Sequence, residues 1–91
     1  MTTLVVEIED SRPVEVLCDR EFLNVTLADG RALRAPLWWY PRLLRARPDQ
    51  RAHTELMPMG IHWPELDEDI SIASILRGEK ARGAAMPVTS G

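Results

Sequence analysis

The chain has 91 residues and a single cysteine, Cys18, so no internal disulfide can form and the fold must hold without covalent staples. That suits a reducing compartment. Long apolar runs are also missing, and none approaches the roughly 20 residues that a membrane-crossing helix needs. The opening M-T-T-L-V-V-E-I-E-D places acids where a secretion signal needs a basic region and a longer apolar one. We therefore expect a cytoplasmic protein with no membrane segment. Histidine is scarce too: His53 and His62 lie outside the helical i, i+4 spacing that would make a paired metal ligand. The acids Glu65, Asp67, Glu68 and Asp69 lack the glycine and distal glutamate of a calcium loop. No cofactor, metal site or catalytic constellation is expected, and the chain does not read as an enzyme.

With only one phenylalanine, bulk must come from Trp38, Trp39, Tyr40 and Trp63. Trp63 follows Ile61 on one side of an extended segment, which makes it a core residue. Trp38 and Trp39 are adjacent and cannot both face inward from one helix, so one of them is free for a partner interface.

The apolar patterning predicts an α+β fold that begins with a small antiparallel β-meander. Residues 4–8 (L-V-V-E-I) form a loose first strand or an ordered arm. Val14, Val16 and Cys18 alternate with Glu15, Leu17 and Asp19, and Phe22 to Ala28 follows as a second strand with Leu23, Val25 and Leu27 on its core face. Asp29-Gly30 signals a two-residue primed turn. Arg31 to Ala35 returns with Leu33 inward, and Pro36 closes the meander.

A helix over Trp38 to Ala46 comes next, where Leu43 stands four positions after Trp39 and Leu44 four after Tyr40. Pro41 either opens that helix near Tyr40 or kinks it. A further helical turn starts at Pro48. A short strand or hairpin spans about 54–63, with Pro58 marking an edge and Pro64 a stop. Asp67, Glu68 and Asp69 then precede Ser71, the expected N-cap of a short helix over 72–77, with Ile70 and Ile75 at hydrophobic-staple spacing. Ile72, Ile75 and Leu76 share its face, and Gly78 ends it. Residues 1–80 thus read as one α+β domain, and 81–91 as a flexible tail or one that orders on a partner.

Three stretches carry a resemblance: G-I-H-W-P-E-L-D-E-D-I-S (Gly60 to Ser71), W-W-Y-P-R-L-L-R-A-R-P-D-Q-R (Trp38 to Arg51) and I-L-R-G (Ile75 to Gly78). In their order and spacing they resemble domain-of-unknown-function family 2442, small bacterial proteins, over roughly Pro13 to Lys80. The resemblance implies an antitoxin-like partner encoded beside a second small protein, of domain-of-unknown-function family 4160, and attaches no catalytic residue. Arg47 stands where the family's pattern has a Ser or Thr cap. Met57-Pro58-Met59 stands where it often has a glycine-rich connection.

Charge is segregated. The net charge of −3 conceals a basic stretch, 31–54, with six arginines against Asp49, and an acidic one, 55–69, with five acids and no base. Such blocks pair across a fold or form a complementary docking surface. The leading expectation is a non-enzymatic protein-binding module, an antitoxin-like partner or inhibitor of another small protein, using Trp38, Trp39, Arg42, Arg45, Arg47, Glu65, Asp67, Glu68 and Asp69. The alternatives are a nucleic-acid-binding regulator using Arg42, Arg45, Arg47 and Arg51, or an acidic turn that mimics a phosphate backbone. The acidic flanks and a pI near 5.3 weigh against general nucleic-acid binding. Homodimer and monomer both remain open.

Overall fold

The computed structural model describes residues 11–87; the expected strand or arm over 4–8 and the last part of the expected tail lie outside them. Alternation builds the first sheet. β1 (Pro13–Cys18), β2 (Phe22–Leu27) and β3 (Ala32–Pro36) pair antiparallel in the order β1-β2-β3. Leu23, Val25 and Leu27 are buried while Phe22, Asn24 and Thr26 face the other way. Asp19 tightens the β1–β2 connection, because its Oδ1 accepts the N–H groups of Glu21 and Phe22 at 2.8 and 2.7 Å. Those bonds favour the ionised form and hold the carboxyl below its ordinary value.

Two local readings are corrected here. A bulge between Pro13 and Glu15 breaks the alternation of β1, so Val14 is exposed while Val16 and Cys18 pack on the core. The β2–β3 turn is not a two-residue primed turn. The Gly30 N–H donates to the Leu27 carbonyl and the Leu27 N–H to the Arg31 carbonyl, at 2.9 and 2.8 Å. Gly30 has φ 94 while Asp29 is not in the positive region, the pattern of a three-residue loop with a glycine bulge.

The helix expected over Trp38 to Ala46 is split. A 3-10 turn, Leu37–Trp39, is followed by α1, Pro41–Leu44, with Pro41 at its first position. The reason is Tyr40, at φ −130 and ψ 86, since a residue before proline is forced out of the helical region. The break also changes the inward face. Leu37, Tyr40 and Leu43 are buried, Trp39 is half-buried, and Leu44 is exposed. α2 (Pro48–Ala52) starts without a Ser or Thr cap; the Arg47 N–H donates instead to Gln50 Oε1 at 3.0 Å.

β4 (Glu55–Met57) and β5 (Gly60–Trp63) form the expected hairpin around Pro58 and Met59. A third strand, β6 (Glu68–Ser71), completes a second sheet in the order β4-β5-β6. This corrects the reading of Glu68 and Asp69 as helix-start carboxylates. Ile70 pairs with Ile61, both buried, and that pairing decides the strand. Gly60 lies opposite Ser71, and a Cβ there would sit 2.6 Å from the Ile70 carbonyl oxygen. α3 (Ile72–Arg77) begins as expected at Ser71, whose Oγ accepts the Ser74 N–H at 3.0 Å, and ends at Gly78 with φ 75. Ile72 and Ile75 are buried, but Leu76, expected on the same face, is exposed.

Both sheets, the 3-10 turn, α1 and α3 share one apolar core around Leu23, Leu27, Leu37, Leu43, Ile61 and Trp63, to which α2 adds no buried residue. Within the stretch read as a tail, the Ala81 N–H donates to the Trp39 carbonyl at 2.9 Å and Ala81 packs against that core.

Candidate interaction surface

The arginines divide by task. Arg51 donates through Nε to the Leu43 carbonyl at 2.8 Å and through Nη2 to the Leu44 carbonyl at 3.0 Å, satisfying the free C-terminal carbonyls of α1. Arg42 reaches the acidic turn, where Nη1 donates to the Asp67 carbonyl at 2.6 Å and stands 3.9 Å from Glu68. Asp67 has φ 51, a left-handed conformation that Asp tolerates better than most residues. Arg47 pairs with Asp49 at 3.1 Å. Arg45 is exposed and makes no ion pair among the described residues.

The acids are likewise engaged. Glu65 meets His53 Nδ1 at 2.7 Å and Asp69 meets His62 Nδ1 at 2.8 Å. The basic and acidic stretches therefore meet in part across the fold, through Arg42 with Glu68 and the Asp67 carbonyl and through His53 with Glu65, whereas His62 and Asp69 both lie in the acidic stretch. Trp38 and Trp39 are both half-buried, packed edge to face at 6.4 Å. Trp39 is the one against the core, with the Lys80 ammonium 4.6 Å from its ring centroid. Trp38 lines a groove of about 380 Å³ with Phe22, Pro36 and Leu44.

An apolar feature was missed in the sequence. Leu56, Met57 and Met59 are exposed on the β4–β5 hairpin, and Met57, Pro58, Met59, Gly60, Ile61 and Ile70 line a groove of about 370 Å³ beside it. The signal was available: two methionines flanking a proline at a tight hairpin tip cannot both turn back to the core. Beside this groove, β6 carries no further strand on its outer edge among the described residues.

A smaller, polar pocket of about 150 Å³ is lined by Tyr40, Glu68, Asp69, Ser74, Glu79 and Lys80, among others. The Tyr40 hydroxyl is buried with no hydrogen-bond partner among the described residues. Burial, and secondarily the Glu68 carboxylate, push its pKa up to about 12. Burial also pushes the Glu68 carboxyl up, against the opposing pull of Arg42. The described residues hold no group of three or more His, Cys, Asp or Glu placed to bind a metal ion. They include no helix long and apolar enough to cross a membrane.

The model of the family described as protein of unknown function (DUF2442) matches residues 13–81. The chain belongs to that family. Among solved structures it is similar to a protein of unknown function from Rhodospirillum rubrum, with 28% identity, a TM-score of 0.69 and coverage of 84% of this chain and 96% of that one. An uncharacterized protein from Chromobacterium violaceum shares the fold at 22% identity and a TM-score of 0.71, over 89% of this chain and 78% of that one. No curated protein matches the chain. The overall fold of this DUF2442 chain is therefore shared with sequences that have diverged widely from it.

Proposed function

We propose that the chain is a non-enzymatic, cytoplasmic protein-binding module of the antitoxin-like or small-inhibitor kind, docking its partner at the methionine-tipped hairpin. The exposed Leu56, Met57 and Met59 beside an apolar groove carry this reading. Clustered exposed apolar side chains mark interaction sites, and methionine adapts its shape to a partner surface. Glu55 on the hairpin and Asp69 at the groove add negative charge, which favours a basic partner by steering its approach.

The nucleic-acid reading draws less support. Of its four arginines, Arg51 caps α1, Arg42 holds the acidic turn and Arg47 pairs with Asp49, leaving Arg45 unengaged among the described residues. The phosphate-mimic reading is weakened in the same way, because Glu65 and Asp69 face histidines.

A pull-down from the native host at low salt tests the docking reading. The parent chain should recover one specific protein, and Met57→Glu with Met59→Glu should recover none of it while melting like the parent. Equal capture by that double variant, or no specific capture by the parent, would reject the hairpin as the interface. Light scattering on the same samples separates a foreign partner from a second copy of the chain.

A further inference from the structure

The groove at Trp38 is assembled from parts that other contacts already hold in place. Phe22 and Pro36 lie opposite each other in the β2–β3 ladder, and the Leu37 N–H donates to the Glu21 carbonyl at 2.8 Å, which fixes the 3-10 turn against the start of β2. The Arg34 guanidinium stands 3.7 Å from the centroid of the Phe22 ring and covers one of its faces. Trp38 packs edge to face on Trp39, and Leu44, 39% exposed at the end of α1, adds a further side. The C-terminal segment supplies the remaining wall. It is anchored by the Ala81 N–H on the Trp39 carbonyl, turns through an Ala84 N–H bond to the Ala81 carbonyl at 3.1 Å, and brings Pro87 to the groove.

Such a surface is preorganised, because rings that are already packed lose little freedom when a ligand arrives. Its volume of about 380 Å³ lies inside the roughly 300 to 1,000 Å³ range of ligand sites. Apart from Arg20 and Glu21, both exposed and opposite in sign, the lining side chains are two aromatic rings, two prolines and a leucine. An ordinary peptide laid there would bury backbone N–H groups against carbon and leave them unsatisfied. Proline has no N–H to bury, and aromatic-lined grooves take its ring at low entropic cost because the extended proline helix is already formed. The carbonyls that proline keeps match Arg20, which offers only donors and makes no ion pair among the described residues. The groove already meets one proline of this kind, its own Pro87.

We propose that the Trp38 groove is a recognition site for an extended, proline-bearing segment of a partner protein, with the proline ring against Trp38 and Phe22. The groove shares no lining residue with the methionine groove, so this inference goes beyond the hairpin docking reading and does not rest on it.

An acetylated, amidated hexaproline peptide is the probe, titrated into isotope-labelled full-length chain, with a glycine-serine hexapeptide as the control. Saturable shifts of the Trp38 indole N–H and of the Phe22 and Leu44 amides are expected with hexaproline and not with the control. Trp38→Ala should weaken binding by about tenfold, as loss of an aromatic anchor does, and Pro87→Ala by a smaller factor. Because Trp38 also packs on Trp39, Leu44→Glu is the companion variant that leaves the buried core untouched, and it should weaken binding as well. A linear response, an equal response to the control peptide, shifts confined to Leu56, Met57 and Met59, or unchanged binding in Leu44→Glu would overturn the site. The double variant Met57→Glu, Met59→Glu should bind hexaproline like the parent. Loss of partner capture with hexaproline binding intact therefore strikes the hairpin reading alone, and absence of hexaproline binding with capture intact strikes the proline site alone.

Discussion

The indole N–H of Trp63 donates to the carbonyl of Arg51 at 3.1 Å, so a fully buried strand residue also fastens α2 over the core. Arg51 in turn caps α1 through its guanidinium, and the two contacts form one chain of support from β5 to both short helices. Trp63→Ala should lower stability by about 3 to 5 kcal/mol, as large aromatic truncations do, a large part of what a small domain has. Trp63→Phe keeps most of the volume, strands the Arg51 carbonyl and should cost less. Urea denaturation of both variants checks the ordering, and a Trp63→Ala chain as stable as the parent would contradict the core assignment.

Gly60→Ala tests the fit between β5 and β6. Its Cβ would lie 2.6 Å from the Ile70 carbonyl oxygen, a backbone atom that cannot rotate away. A loss of about 1 to 3 kcal/mol is expected, the usual range for overpacking. Thermal melting should show a lower Tm, and an unchanged Tm would mean that the two strands are not in this register.

Arg42 holds the acidic turn through a carbonyl rather than chiefly through an ion pair, because the bond to Asp67 is 2.6 Å and the distance to Glu68 is 3.9 Å. Arg42→Ala should destabilise by about 1 kcal/mol, the net value of a hydrogen bond at a partly exposed site. Added salt should change that difference little. A salt-sensitive difference in Tm would assign the role to the ion pair instead.

Glu68 gives a pH dependence with a definite sign. Its folded carboxyl is raised above the ordinary value of 4.5, chiefly by burial, so between that value and its raised one the folded chain binds more protons than the unfolded chain. Its contribution favours folding at low pH and is lost as pH rises through the folded value. Glu68→Gln should remove this part of the stability profile, seen by comparing denaturation of parent and variant across the acid range. Identical profiles would show that Glu68 ionises as freely in the folded chain as in the unfolded one.

Cys18 should be slow to alkylate. Burial pushes its thiol up to about 11, and the thiolate is the reactive form. Iodoacetamide at about pH 8 should therefore label the folded chain far more slowly than the urea-unfolded chain. Equal rates would place the thiol in solvent.

Much of the fold was legible because local rules operated without competition. The inward set Leu23, Val25 and Leu27, the Ser71 cap, the Gly78 stop and the burial of Trp63 all follow from side-chain period or backbone preference within a few residues. Where two local rules competed, the stronger one decided the outcome. Proline 41 overrode the helical spacing of Trp39 with Leu43, and a bulge reversed the facing of Val14.

The candidate site was less legible. Arg42, Asp67 and Glu68 were singled out for charge alone, and the structure joins them, whereas Arg45 and the two tryptophans are not gathered with them into one site. The hairpin methionines were passed over because exposure is not a property of residue type.

The sequence by itself determined the α+β composition, the first sheet and its core face, the β4–β5 hairpin and the capped helix after Ser71, since each depends on contacts between near neighbours in the chain. Only the tertiary structure decided that Glu68 to Ser71 is a strand, that Arg51 serves the core and that Tyr40 and Glu68 face one pocket. Tyr40 and Glu68 meet across a long stretch of chain, and the Glu68 to Ser71 strand, although its partner β5 is close in sequence, is set by pairing and burial and not by a period of its own. E-D-I-S has a single apolar residue and no visible period, and it became a strand because Ile61 and Gly60 offered a buried neighbour and a gap that only a close backbone could fill.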